Sequence, residues 1–71
     1  MKIDLYYIWS NEHRAWWRAN HHGYTANIEE AGLYNRKLAM SICKQAKIGH
    51  KPGEPMPELP VREADVAALL A

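Results

Sequence analysis

The chain lacks most of the devices that stabilise or anchor a small protein. It has 71 residues and one cysteine, Cys43, so no disulfide forms within it, and no CxxC pair indicates a structural zinc. No apolar run approaches the ~20 residues that cross a bilayer, and MKIDLYYIW is too short and too acidic for a secretory signal. We therefore expect a soluble intracellular protein that does not enter a membrane. A core of this size supplies only a few kcal/mol, which favours a homo-oligomer.

Catalytic and metal motifs are missing as well. The sequence contains no glycine-rich phosphate loop, no GxSxG and no HExxH. Cys43 falls on the apolar side of a predicted helix, where a thiol usually packs as an inert side chain. His21 and His22 are adjacent, so they point to opposite sides of an extended strand and do not form a ligand pair. The sequence predicts no enzyme, no metal site and no cofactor.

The charge of the chain is nearly balanced. Its formal net charge of +1 does not favour strong nonspecific binding of nucleic acid. Five basic residues nevertheless share one segment that has no acidic residue: Arg36, Lys37, Lys44, Lys47 and Lys51. This segment predicts a positive helix face, which is more often solvated than used for binding.

The first half of the chain has the pattern of an antiparallel sheet. KIDLYYIW is rich in β-branched and aromatic residues, SNEHR has turn chemistry, and RAWWRAN returns as a second strand. Gly23 suits a second turn, and a third short strand follows around Tyr24 to Ile28. IEEAG then predicts one helical turn closed by Gly32. These segments predict a hairpin or a three-stranded sheet.

The second half predicts two helices. Asn35 is a plausible N-cap for a helix from Arg36 to about Lys47, which Gly49 and Pro52 terminate. Its apolar arc consists of Leu38, Ala39, Ile42, Cys43 and Ala46. GHKPGEPMPELP predicts an extended connection whose end, Glu58 to Val61, adds an edge strand. READVAALLA predicts a short C-terminal helix that is apolar nearly all round. The expected fold is α+β, with residues 1–71 as a single small domain whose sheet packs on one amphipathic helix.

Strand alternation assigns the tryptophans to faces. On the second strand it places Ala15, Trp17 and Ala19 on a core side, and Arg14, Trp16, Arg18 and Asn20 on a polar side. We expect Trp9 and Trp17 in the core, facing the apolar arc of the helix. A register slip of one residue would exchange Trp16 with Trp17.

The polar side of this strand is the predicted ligand-binding site. Trp16 would stack on a flat ring, Arg18 would pair with an anion, and Asn20 would bind a base edge. The same site takes in six further polar or aromatic residues from the neighbouring turns: Asn11, His13, His21, His22, Tyr24 and Thr25. The alternative is that Trp16 packs under the C-terminal helix and Arg18 is solvated.

The region from Tyr7 to Cys43 carries a combined pattern of WSNEH, AWWR, GYT and IEEAGLY before a helix. This pattern resembles a group of very small proteins encoded by tailed phages and prophages. The resemblance implies a bacteriophage genomic setting and not an activity. Small phage accessory proteins commonly disarm host defence, so we expect a counter-defence role in host immune evasion, in the host cytoplasm. Such a protein would act as a sponge that sequesters a nucleotide immune signal without cleaving it. Alternatively, it would inhibit a host defence protein, or bind nucleic acid, through the aromatic hairpin or the basic helix face. The resemblance assigns no binding residues.

Overall fold

Five strands and two helices form the described part of the chain, residues 4–46, 48, 53 and 56–70, in a computed structural model. The strands are β1 (Leu5–Ser10), β2 (Ala15–Trp17), β3 (Tyr24–Thr25), β4 (Tyr34–Asn35) and β5 (Glu58–Arg62). The helices are α1 (Arg36–Ala46) and α2 (Glu63–Leu70), and 3-10 turns occupy Ala19–His21 and Ile28–Glu30. The fold is α+β, as the sequence predicted, but the sheet has five strands instead of two or three.

Strand β1 is the centre of the sheet because it pairs with three other strands, all antiparallel to it. Strand β5 lies along one edge of β1 from Tyr6 to Ser10. The opposite edge is shared by β4, which pairs with the start of β1, and by β2, which pairs with its end. Strand β3 continues the sheet beyond β2. The predicted edge strand is therefore confirmed, and it extends one residue further, to Arg62.

The predicted hairpin joins β1 to β2 through a turn at residues 11–14. Ser10 pairs with Ala15 across its base, and the Ser10 hydroxyl accepts a hydrogen bond from the backbone N–H of His13 at 3.1 Å. Arg14 has φ 54°, in the left-handed region that tight turns use. The SNEHR stretch is thus a turn, held in part by its own serine.

Strand β2 is shorter than predicted. It ends at Trp17, whose carbonyl accepts from the N–H of Gly32, while the N–H of Arg18 bonds to the carbonyl of Gly23 at 2.8 Å. Residues 19–21 then form a 3-10 turn in which Asn20 has φ 56°. The prediction that Arg18 and Asn20 continue the strand is wrong, because the chain turns instead of extending.

The core lies between one face of the sheet and α1. Tyr6, Ile8 and Tyr34 from the strands pack with Ala39, Ile42 and Cys43 of the helix. Trp17 is partly buried against this cluster, which confirms its predicted place at the core. The register pairs Trp9 with Trp16, so both lie on the outer face of the sheet. The predicted core position of Trp9 is therefore wrong.

Helix α1 begins where the sequence predicts. The Asn35 side-chain oxygen accepts from the backbone N–H of Leu38 at 2.8 Å, which is the bond of an N-cap. The apolar arc is buried except at Leu38, which is 41% exposed, and Ala46, which is half-buried. The predicted end at Lys47 and most of the proline-rich connection lie outside the described residues.

Gly32 has a different role from the predicted helix cap. The 3-10 turn Ile28–Glu30 ends at Ala31, which occupies the cap position. A Cβ on Gly32 would lie 2.3 Å from the backbone nitrogen of Ala19, so only glycine allows the two segments to approach this closely. Strand β3 also stops early, at Thr25, because Asn27 caps this turn by accepting from the N–H of Glu29 at 3.0 Å.

Helix α2 follows β5 directly and contacts both β5 and β1. Its residue Val66 is half-buried, whereas Leu69 is 85% exposed. Neither helix in the described part of the chain has the length and apolar character needed to span a bilayer. Within one copy of the chain, this apolar helix is thus only partly covered.

Candidate functional site

The two faces of β2 divide the predicted site residues between two aromatic clusters. The outer aromatic cluster consists of Tyr7, Trp9 and Trp16, all half-buried. The Trp16 ring lies edge-on to both neighbours, with centroid distances of 4.9 Å to Trp9 and 5.7 Å to Tyr7. The guanidinium of Arg14 lies 5.8 Å from the Trp9 ring centroid, within the range of a cation–π contact. Trp16 is therefore grouped with β1 aromatics and not with Arg18 and Asn20.

The rim cluster lies on the core side of β2 and consists of His13, Trp17, His21 and Tyr24. The His13 and Tyr24 rings stack at 3.9 Å with an interplanar angle of 14°. Trp17 is edge-on to Tyr24 at 5.8 Å and to His21 at 5.3 Å. His13, His21 and Tyr24 are exposed, so the rings form a row at the surface. Three predicted site residues come together here, around a tryptophan that the sequence assigned to the core.

A strained loop positions His21. Asn20 and His21 have φ values of 56° and 60°, which non-glycine residues seldom adopt. The Tyr34 hydroxyl restrains this loop by accepting from the N–H of His21 at 3.3 Å and donating to the carbonyl of Arg18. Left-handed non-glycine residues cost of order 1–3 kcal/mol each and occur often at functional sites. Tyr34 thus connects the core to the surface row of rings.

Arg18 is held next to the rim cluster. Its Nε donates to the carbonyl of Tyr24 at 3.2 Å, and its Nη2 lies 3.2 Å from a Glu30 carboxylate oxygen. Both partners of this ion pair are about half exposed, so solvent weakens the pair.

Of the other predicted site residues, Asn11 and Thr25 make hydrogen bonds within the fold. The Asn11 side chain accepts from Trp9 Nε1 at 3.0 Å and donates to the carbonyl of Met56, which fixes the hairpin to the start of β5. Thr25 is buried, and its hydroxyl accepts from the N–H of Asn27. Asn20 and His22 are exposed in the loop next to His21. Asn11 and Thr25 therefore make structural hydrogen bonds and are not members of the rim cluster.

Glu58 lies beneath the rim cluster and was missed by the sequence analysis. It is 5% exposed, and its Oε2 accepts from Trp17 Nε1 at 2.8 Å. Burial raises the pKa of this carboxyl, although the Trp17 and Ser10 hydrogen bonds and the nearby His13 oppose the rise. Burial also raises the pKa of Tyr24, and the charges of Glu58 and Glu12 add to the increase. No motif marks Glu58, because its partner is 41 positions away.

The arrangement offers poor nucleophiles. Ser10 Oγ lies 3.2 Å from His13 Nδ1, the geometry of a nucleophile and its base, but Ser10 has no exposed surface for a substrate to reach. The Cys43 thiol is buried, and burial followed by the charge of Glu58 raises its pKa to about 11. Among the described residues, no three His, Cys, Asp or Glu side chains lie close enough to hold a metal ion.

Comparison of the chain with protein-family models, with curated proteins and with solved structures finds no match.

Proposed function

We propose that this chain is a phage-encoded counter-defence protein that sequesters a nucleotide-like ligand at the rim cluster without cleaving it. The observation that carries the proposal is the His13–Tyr24 stack, a pair of parallel rings at 3.9 Å with both residues exposed. A nucleobase would extend this stack, which is worth roughly 1–3 kcal/mol per base on an aromatic residue. Trp17 packs edge-on against Tyr24 and against the buried Tyr34, so the Tyr24 ring is held in place before a ligand binds, which lowers the entropy cost of binding.

Charged and polar groups beside the stack favour an anion. Arg18 is fixed against the carbonyl of Tyr24, and its other contact is the solvent-weakened pair with Glu30. A ligand phosphate would take the place of Glu30 and form two bonds with the guanidinium. His21 and His22 add ring N–H groups on the same loop. The ligand class is thus a planar base carrying at least one phosphate.

Sequestration is favoured over catalysis for two reasons. Ser10 is inaccessible, and Cys43 is both buried and protonated at neutral pH because its pKa is about 11. The resemblance of the WSNEH, AWWR and GYT pattern to small phage proteins supports a counter-defence setting in the host cytoplasm. A protein of this kind would lower the free concentration of a nucleotide signal by tight binding alone.

A thermal-shift screen against linear and cyclic nucleotides tests the proposal. Ligand at 100 times its Kd stabilises the folded chain by about 2.7 kcal/mol, which raises the Tm of a domain this small by several degrees. Mass spectrometry of the ligand released on heating should recover it unchanged. Tyr24→Ala and Arg18→Gln should each abolish the shift, whereas Trp16→Phe on the opposite face should keep it. A chemically altered ligand would show an enzyme, and no shift with any nucleotide would disprove the proposal.

The outer aromatic cluster supports a second candidate function, inhibition of a host defence protein. Tryptophan, tyrosine and arginine dominate binding hot spots, and here Tyr7, Trp9, Trp16 and Arg14 are adjacent on one face. The pairing of Trp9 with Leu59, which is 37% exposed, extends the apolar surface onto β5. Binding to a host protein through this face should be lost in Arg14→Ala and Trp16→Ala and unchanged in Tyr24→Ala. This is the opposite of the pattern expected for the nucleotide site.

A further inference from the structure

A cavity lies between α1 and β5 at the edge of the sheet. Its volume is about 520 Å³, within the range of about 300–1,000 Å³ that is typical of small-ligand pockets. The walls are mainly apolar and include Met40 and Cys43 of α1, Leu59 of β5, and Met56 just before β5. Pro60 of β5 and two charged residues, Lys44 and Glu58, complete the lining. We refer to this space as the α1–β5 cavity.

The two charged residues differ in their environment. Lys44 is exposed, whereas Glu58 is 5% exposed, so the acidic group is the buried one. The ion pairs found in the described residues join Arg18 to Glu30 and Arg62 to Asp65, and neither includes Glu58. Its hydrogen-bond donors, Trp17 Nε1 and the Ser10 hydroxyl, are both neutral. A buried carboxyl group held by neutral donors gains more from a cation than an exposed one does, because little solvent screens the interaction.

The shape of the walls favours a compact occupant over an extended peptide. Pro60 lies in the middle of β5 and has no backbone N–H, so the free edge of this strand cannot offer a continuous ladder to an added strand. Met40 and Met56 are flexible side chains that adapt to different apolar shapes. The cavity therefore suits a small molecule with an apolar body.

We propose that the α1–β5 cavity binds a small hydrophobic amine, with its apolar body between Met40, Met56 and Leu59 and its ammonium group at Glu58. This site is separate from the proposed nucleotide site, since its walls come from α1 and β5 and not from the hairpin. Glu58 lines this cavity and also accepts a hydrogen bond from Trp17 of the rim cluster, so it lies next to both proposed sites. An amine at Glu58 would favour the ionised carboxylate, so its affinity would increase with pH while the amine stays protonated.

Calorimetry with the full chain and three probes of similar shape tests the charge requirement. Phenethylamine is the cation, 2-phenylethanol is the neutral isostere, and phenylacetate is the anion. The amine should bind at least tenfold more tightly than the alcohol, and phenylacetate should bind most weakly. Equal affinities for amine and alcohol would overturn the proposal, because the cavity would then select only apolar surface.

Three variants locate the binding. Glu58→Gln keeps an oxygen for the Trp17 indole and should reduce the amine preference to about that of the alcohol. Glu29→Gln, at an exposed residue, should leave all affinities unchanged. Met40→Trp places a larger side chain at the cavity and should abolish binding of the amine and the alcohol while the Tm is retained. Amine binding that persists in Met40→Trp would overturn the location, and this variant remains informative if Glu58→Gln does not fold.

Discussion

Among the described residues, Glu58 is the charged side chain that the fold buries. A carboxyl group that is 5% exposed must find donors within the protein, and Trp17 Nε1 provides one at 2.8 Å. The same tryptophan packs against the core and against the rings of Tyr24 and His21. One indole therefore links the core, the buried acid and the candidate nucleotide site.

The raised pKa of Glu58 makes the stability of the fold depend on pH. Since the folded state binds this proton more tightly than the unfolded state, the contribution is fully present below the ordinary value of 4.5. It is lost as the pH rises through the raised pKa of the folded chain. We expect Glu58→Gln to remove this loss, so that its free energy of unfolding relative to wild type increases from pH 4 to pH 7. Urea denaturation at several pH values measures the difference, and a constant difference would contradict the assignment.

The sequence predicted the positions of single residues well only where the deciding contacts are local. Alternation within RAWWRAN correctly separated Trp16 from Trp17, because that information is local. The bond between Trp17 and Glu58 spans 41 positions, and no local pattern encodes it. The placement of Trp9 was wrong because both faces of β1 are apolar, so hydrophobicity did not distinguish the core face from the outer one.

At the scale of elements, the segment that contains Gly32 passes very close to the backbone of Arg18 and Ala19, just after β2. The missing Cβ of Gly32 leaves room for the backbone of Arg18 and Ala19, which would otherwise lie within 2.8 Å. This contact allows the N–H of Gly32 to bond to the carbonyl of Trp17 at 2.9 Å. Strand β2 therefore ends at Trp17, where the backbone N–H of Gly32 donates to the Trp17 carbonyl.

We expect Gly32→Ala to destabilise the chain by more than about 3 kcal/mol, because the clash is with backbone that cannot rotate away. Gly23→Ala is the matched control. Gly23 has φ +94° and no atom within 4 Å of an added Cβ, so alanine there should cost only about 1–2 kcal/mol of backbone strain. Chemical denaturation of both variants compares them. Equal losses of unfolding free energy in the two variants would show that the lack of room for a Cβ at Gly32 does not cause the destabilisation.

Elements with strong periodicity were predicted better than short strands. Helix α1 has both an N-cap at Asn35 and an apolar arc, and its start was predicted correctly. Strands β2 and β3 were predicted too long, because the alternation in the sequence continues past the point where the backbone turns. Asn20 was the available signal, since asparagine tolerates the left-handed conformation better than most residues.

At the scale of the whole molecule, α2 stands out because none of its residues from Glu63 to Leu69 is buried. Its apolar residues Ala67, Ala68 and Leu69 are exposed, the last by 85%. Such a surface on a small domain favours association of further copies, as the composition also predicted. The sequence identified the apolar helix but gave no information about which side the sheet would cover.

We expect the full chain to be larger than a monomer in light scattering at micromolar concentration, and Leu69→Glu to be monomeric. Ile48→Glu is a control of matched exposure, since Ile48 is 84% exposed and Leu69 is 85% exposed. A chain ending at Glu63 should also be monomeric if it folds. A wild-type chain that is monomeric at all concentrations would refute the prediction, and equal effects of the two glutamate variants would show that α2 is not specifically involved.

The position of β1 determines when the fold can form during synthesis. Its longest pairing is with β5, so residues near the start of the chain wait for partners at Glu58–Arg62. Contacts this far apart slow folding, because a long loop must close before they stabilise anything. A nascent chain would therefore carry an apolar strand with one unpaired edge until Glu58–Arg62 have been synthesised and can pair with it.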